Sequence, residues 1–154
     1  MNHELTAAAP WMARHAVRFE WNAESLDLRA SLTKSDTGRR FYVRGLFDEY
    51  RVLPPRWTFT DAAGSGEYDG SNYPLTRCPG RAAMCITHQN KPVICAPFNR
   101  LAYQDLAGPH GDWGGPAAWQ SVNTGVVRAT HVGDMLAALQ RETDRSDGTL
   151  AGTQ

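Results

Sequence analysis

No stretch of this 154-residue chain approaches the roughly 20 consecutive apolar residues that a bilayer-spanning helix needs. Neither charge is in surplus. Sixteen Lys and Arg balance sixteen Asp and Glu, which argues against a surface given over to nucleic acid or anionic membrane, because both demand clustered positive charge. Cysteine is scarce and odd in number, at three, so it frames no disulfide scaffold and points to free thiols in a reducing compartment. The start, "MNHELTAAAPWMARHAV", carries no basic-then-apolar leader pattern. These absences lead to an expectation of a cytoplasmic protein without nucleic-acid or membrane partners.

What is present reads as one domain, since a chain of this length buries roughly 68–70% of its unfolded surface. Residues 1–9 read as loose, and Pro10 fits the first turn of a short helix, where its missing N–H costs nothing. Val17, Phe19 and Trp21 then alternate in the manner of a strand. In "SLDLRASLT" Leu26, Leu28, Ala30 and Leu32 share one face, giving a half-buried strand. "KSDTG" turns the chain into a second strand, "RRFYVRGLF", and "PPRWTFTD" supplies a third with Trp57 and Phe59 on one side. Residues 62–81 are rich in Gly, Ser, Asp, Pro and Asn, which is loop chemistry. Short strands are expected at "AAMCITH" and "KPVICA". Residues 105–116 hold four glycines and two prolines around His110 and Trp113, a second loop. Val132, Met135, Leu136 and Leu139 form an apolar helical stripe behind a Thr130 cap. Residues 144–154 lack bulky side chains and read as a flexible tail. The fold class is therefore α+β: N-terminal helix, antiparallel β-meander, long loops and C-terminal helix, with the domain at 10–143.

At "EYRVLPPRWTFTD" the chain resembles the ubiquitin-conjugating (UBC) family. Tyr50, Pro54 and Pro55 match that family's Tyr-x-x-x-Pro-Pro turn, and "RWTFT" matches the strand that follows it. "VICAP" is similar to the family's Ile-Cys-Leu core, and Trp113 or Trp119 precedes a helix as a Trp precedes the family's crossover helix. The resemblance spans residues 10 to 143 and is to divergent bacterial branches, because the His-Pro-Asn tripeptide is represented only by His88-Gln89-Asn90. It implies a transferase that carries a ubiquitin-like modifier as a thioester on a cysteine and passes it to an amine. The implied partners are the modifier, an activating (adenylating) enzyme and a protein target. The implied chemistry uses no metal and no organic cofactor.

That chemistry needs a thiol that accepts and releases an acyl group, a proton acceptor for the attacking amine and a donor for the oxyanion. Cys95 is the candidate nucleophile: Pro97 lacks an N–H and cannot extend a ladder, so the chain must leave regular structure just beyond the thiol. Cys85 is the rival, although it lies within a strand-like run. Asn90, Asn99 or the backbone near Cys95 are candidate oxyanion donors, and His110 is the candidate proton acceptor.

Three other readings compete. Cys78, Cys85, His88 and Cys95 hold ligand types that suit zinc, but spacings of six, two and six residues lack the close cysteine pair of structural sites. A Cys95–His110 pair would serve a thiol hydrolase, with no evident third residue. A UBC-like module that only binds a partner, with the cysteine packed inside, is the non-catalytic alternative. His3, His15 and His131 read as surface or helix-end residues.

Overall fold

A computed structural model describes residues 1–77, 82–123 and 128–153. The first helix, α1, spans Asn2–Arg14, so residues 1–9 are not a loose extension. Leu5, Ala8 and Met12 give it a buried stripe at offsets of three and four. That stripe is easily missed because its middle member is an alanine among alanines. Pro10 lies inside the helix on its exposed side rather than in the first turn.

Four strands follow: β1 Arg18–Asn22, β2 Asp27–Thr33, β3 Arg40–Leu46 and β4 Arg56–Thr60. They form one antiparallel sheet in chain order. The register sets Ala30 opposite Val43 and Val43 opposite Phe59, while Leu28 faces Gly45 and Gly45 faces Trp57. Leu28, Leu32, Trp57 and Phe59 are all fully buried on the inner face, each worth about 1.5–3 kcal/mol of burial. Leu26, expected on this face, instead sits in the β1–β2 turn at φ 52° and is exposed. Gly45 is required: a Cβ there would lie 2.8 Å from the rings of Phe47 and Trp57.

Beyond the sheet come β5 at Pro74–Leu75, the hairpin β6 Cys85–His88 with β7 Lys91–Ile94, and the second helix, α2, at Val132–Arg145. Helix α2 turns Val132, Met135, Leu136 and Leu139 into the core shared with the sheet, and Gln140 Nε2 donates to Thr33 O across 2.8 Å. It also meets α1 closely, since a Cβ on Gly133 would come within 3.0 Å of Ala8 Cβ. Its N-terminus is capped across the chain rather than by Thr130: the Val132 amide donates to Glu4 Oε2 at 3.0 Å. Tyr50 donates to the same carboxylate at 2.9 Å. The tyrosine of the Tyr-x-x-x-Pro-Pro turn thus bridges α1 to α2.

The expected tail is also ordered by contacts. Helix α2 runs to Arg145, and β8 at Gly148–Thr149 pairs with β5. Asp147 N donates to Leu75 O and Leu150 N to Tyr73 O, while Leu150 is buried. One leucine and a short backbone ladder suffice where composition alone suggested too little to offset ordering. The architecture is mixed α+β, with a helix before and a helix after an antiparallel four-stranded sheet. No helix among the described residues is long and apolar enough to cross a membrane.

Candidate active site

Cys95 is the first residue past β7. The β6–β7 hairpin turns through Gln89 and Asn90 at φ 48° and 63°, and the pairing of His88 with Lys91 makes this a two-residue loop of the type I′ kind. One ladder-like bond continues beyond the strand, from Cys95 N to Met84 O at 2.7 Å. The chain then breaks at Ala96-Pro97 and turns, with Asn99 N donating to Ala96 O at 2.9 Å. The departure from regular geometry that Pro97 requires is therefore found where the sequence places it.

Asn99 holds that turn against the sheet. Its Oδ1 accepts from Trp57 N at 2.9 Å and Leu101 N at 3.3 Å, and its Nδ2 donates to Ile94 O at 2.8 Å. Arg100, also buried, reaches the Pro-Pro turn. Its amide donates to Pro55 O at 3.0 Å and its Nε to Pro54 O at 2.9 Å, with the guanidinium paired to Asp48 and Glu49. The Tyr-x-x-x-Pro-Pro segment is thus fastened directly to the segment that follows the thiol.

The imidazole comes from the second loop. His110 is fixed by its backbone: its N–H donates to Ala102 O at 3.0 Å and its carbonyl accepts from Gln104 N at 3.1 Å. The return is tight at Gly108, where a Cβ would lie 2.2 Å from the carbonyl carbon of Ala102, so no side chain fits there. This geometry sets His110 Nε2 2.7 Å from Cys95 Sγ and His110 Nδ1 2.9 Å from Asp112 Oδ1. Trp113 lies flat on the imidazole, with centroids 3.6 Å apart. Tyr103 packs edge-on against Trp113 and donates its hydroxyl to Pro97 O at 2.9 Å, joining the imidazole loop to the cysteine turn.

The tautomer follows from the partners. An ionised carboxylate only accepts, so Nδ1 carries the proton and donates to Asp112. Nε2 then presents a lone pair, and the thiol donates to it. Burial pushes the Cys95 thiol up to about 11, helped by the Asp112 charge. The hydrogen bond from His110 holds the Asp112 carboxyl below its usual range. Asp112 is 65% exposed and the His110 side chain 24%, so the group stands at the surface.

Cys85 is placed very differently. It is 1% exposed, and burial, with Glu142 next in effect, pushes its thiol far up. From α2, Glu142 Oε1 accepts from the amides of Met84 and Cys85 at 2.9 and 3.3 Å. Of the two described cysteines, Cys85 is a core residue and Cys95, half-buried, is the one within reach of solvent.

Of the three residues singled out in the sequence, Cys95 and His110 meet and Asn90 does not. Asn90 caps the far end of the hairpin, separated from Cys95 by the whole of β7, about 13 Å of strand. Asn99 has its amide committed to Ile94 O. Asn90 therefore stands apart from the Cys95–His110 pair, and Asn99 is spent on holding the turn. The Phe98 amide donates to no acceptor among the described residues. Asp112 was missed, although His110-Gly111-Asp112 is a spacing that lets a carboxylate reach back to its own histidine. Trp113, rather than Trp119, flanks the thiol partner; Trp119 is buried beside Tyr50.

The remaining histidines have other employment. His15 stacks on Trp11, and His131 precedes α2 at its N-cap position. Cys78 of the zinc reading lies outside the described residues, and among those described no group of three or more His, Cys, Asp or Glu is arranged to hold a metal. No protein-family model, curated protein or solved structure matches the chain.

Proposed function

We propose that this protein is a cysteine acyl-transfer enzyme of the ubiquitin-conjugating kind, in which Cys95 carries a ubiquitin-like protein as a thioester and delivers it to a target. The observation that carries the reading is the 2.7 Å contact between Cys95 Sγ and His110 Nε2, backed by Asp112. A buried, unreactive cysteine needs no such partner. The order of elements and the Tyr50–Pro54–Pro55 turn against the cysteine segment support the same reading, because they follow the resemblance from which the expectation came.

The reaction runs on this chain's own groups. Because the Cys95 thiol is pushed up to about 11, little thiolate exists at neutral pH, and the proton passes to Nε2 as sulfur attacks the incoming carbonyl. Asp112 and the Trp113 face hold the imidazolium so formed. Collapse of the tetrahedral intermediate expels the donor's thiolate, which takes the proton back from Nε2, and leaves the acyl group on Sγ. The acceptor amine then attacks, Nε2 takes its proton, and the C–S bond breaks.

Incubation with an adenylating enzyme, ATP and a ubiquitin-like modifier is expected to give a reductant-sensitive adduct that Cys95→Ala abolishes and Cys85→Ala spares. The carboxylate behind His110 also favours a second reading, a thiol hydrolase that passes its acyl group to water. Hydrolysis of a loaded acyl group in the presence of abundant amine selects that reading. Absence of any adduct leaves a partner-binding module in which Cys95 only packs.

A further inference from the structure

We infer that the acceptors of this site include hydroxyl groups, serine and threonine side chains among them; the inference rests on the thioester reading and narrows its substrate. A lysine amine reaches a thioester as its free base, of which roughly one part in a thousand exists near neutral pH, and can shed its second proton after the C–N bond has formed. A hydroxyl has almost no nucleophilicity until its proton leaves, so it requires a base already placed beside the reacting carbon.

The structure holds such a base. Once Sγ is acylated it carries no proton, and His110 Nε2, 2.7 Å from that sulfur, loses its donor. Its lone pair then faces the nucleophile that approaches the adjoining carbonyl. The ring does not depend on the substrate for its position. Its backbone is bonded on both sides to Ala102 and Gln104, its Nδ1–H is held by Asp112, and its face lies on Trp113. The carboxylate and the indole both stabilise the charge the ring acquires.

The step balances without a further reagent. The hydroxyl oxygen bonds to the thioester carbon and its proton moves to Nε2. The intermediate collapses with cleavage of the C–S bond. Cys95 leaves as thiolate and recovers the proton from Nε2, and the product is an ester.

The test uses the full chain and a probe that needs no cognate partner: a glycine-terminated peptide supplied as its mercaptoethanesulfonate thioester. Protein loaded on Cys95 is freed of excess peptide and offered N-acetylthreonine amide or N-acetyllysine amide. Products are weighed by mass spectrometry, with hydroxylamine lability separating ester from amide. The wild-type protein is expected to form ester, and His110→Gln to lose it by about 100-fold or more while amide formation falls by less than about tenfold. Asp112→Asn, at an exposed position that spares the fold, is expected to lower the ester-to-amide ratio in the same sense. Amide without ester above a protein-free blank overturns the inference and leaves the conjugating reading standing. Discharge to water alone also overturns it, in favour of the hydrolase. Failure of Cys95 to load removes the thioester reading, and the inference falls with it.

Discussion

The imidazole of His110 lies on the indole of Trp113 with the two planes 7° from parallel. A histidine near a cysteine can rotate away from it; this one has an aromatic floor that fixes the ring plane while Asp112 fixes its rotation within that plane. Trp113→Phe, which keeps a smaller floor, is expected to leave the protein folded and slow loading of Cys95 by a peptide thioester several-fold. Trp113→Leu is expected to slow it further, by about tenfold or more. Equal loading rates in all three proteins would show that the stack does not position the ring.

The two described thiols should separate cleanly under iodoacetamide. Peptide mapping of the native protein is expected to find Cys95 modified and Cys85 spared, because the latter has no exposed surface to offer. The pH profile carries a sign. A thiol pushed up to about 11 is roughly one part in a thousand thiolate at pH 8, against about a quarter for an ordinary thiol. Alkylation of Cys95 should therefore keep climbing between pH 9 and pH 10.5, where a free cysteine has levelled off.

Gly108→Ala should disable the site from a distance. The new methyl would meet backbone atoms of Leu101 and Ala102 at 2.2–2.4 Å, so the return segment carrying His110 must move. Loss of loading activity by about 100-fold with far-ultraviolet circular dichroism unchanged is the expected outcome, since displacements of an ångström at a reacting group have that cost. Retained activity would mean that the loop adjusts without shifting the imidazole.

Glu4 supplies a pH-dependent contribution to stability. Burial alone would raise its carboxyl, but the Val132 amide, Arg51 and Tyr50 outweigh that and hold it below its usual range. A depressed native value means stability that is present above the ordinary carboxylate range and lost as pH falls through the native one. Glu4→Gln is expected to cost about 1–3 kcal/mol at pH 7, and urea titrations should show the gap from wild type closing under acid.

Asn99 carries three hydrogen bonds to backbone groups of two segments. Asn99→Ala strands the Trp57 amide in the core and leaves the Ile94 carbonyl with the Ala96 amide alone. A loss of about 2–4 kcal/mol and a fall in Tm of roughly 5–15 °C are expected from thermal unfolding.

Much of this was legible from local pattern. The period-two alternation of residues 28–32 and 57–59 marks the inner face, and Pro97 marks the break after Cys95, because both signals act over a few residues. What escaped depends on distant partners. Helix α1 begins eight residues before Pro10 since its stripe is completed by α2, and Thr130 caps nothing because Glu4 arrives from 128 residues away. Residues 148–150 acquire order from β5 and Tyr73, which lie more than seventy residues earlier. At the site, residue types pointed to Cys95 and His110, but the role given to Asn90 came from the likeness to a tripeptide and fails on the length of one strand. Asp112 needed only the observation that a carboxylate two residues on can fold back onto its histidine.

The carboxylate of Glu142 has a consequence beyond packing. By taking the amides of Met84 and Cys85, it removes two donors from the rim of the small hairpin, and an unsatisfied rim invites a foreign strand to dock. Helix α2 thereby guards this end of the hairpin, two residues from the turn that carries Cys95, against chain-to-chain pairing.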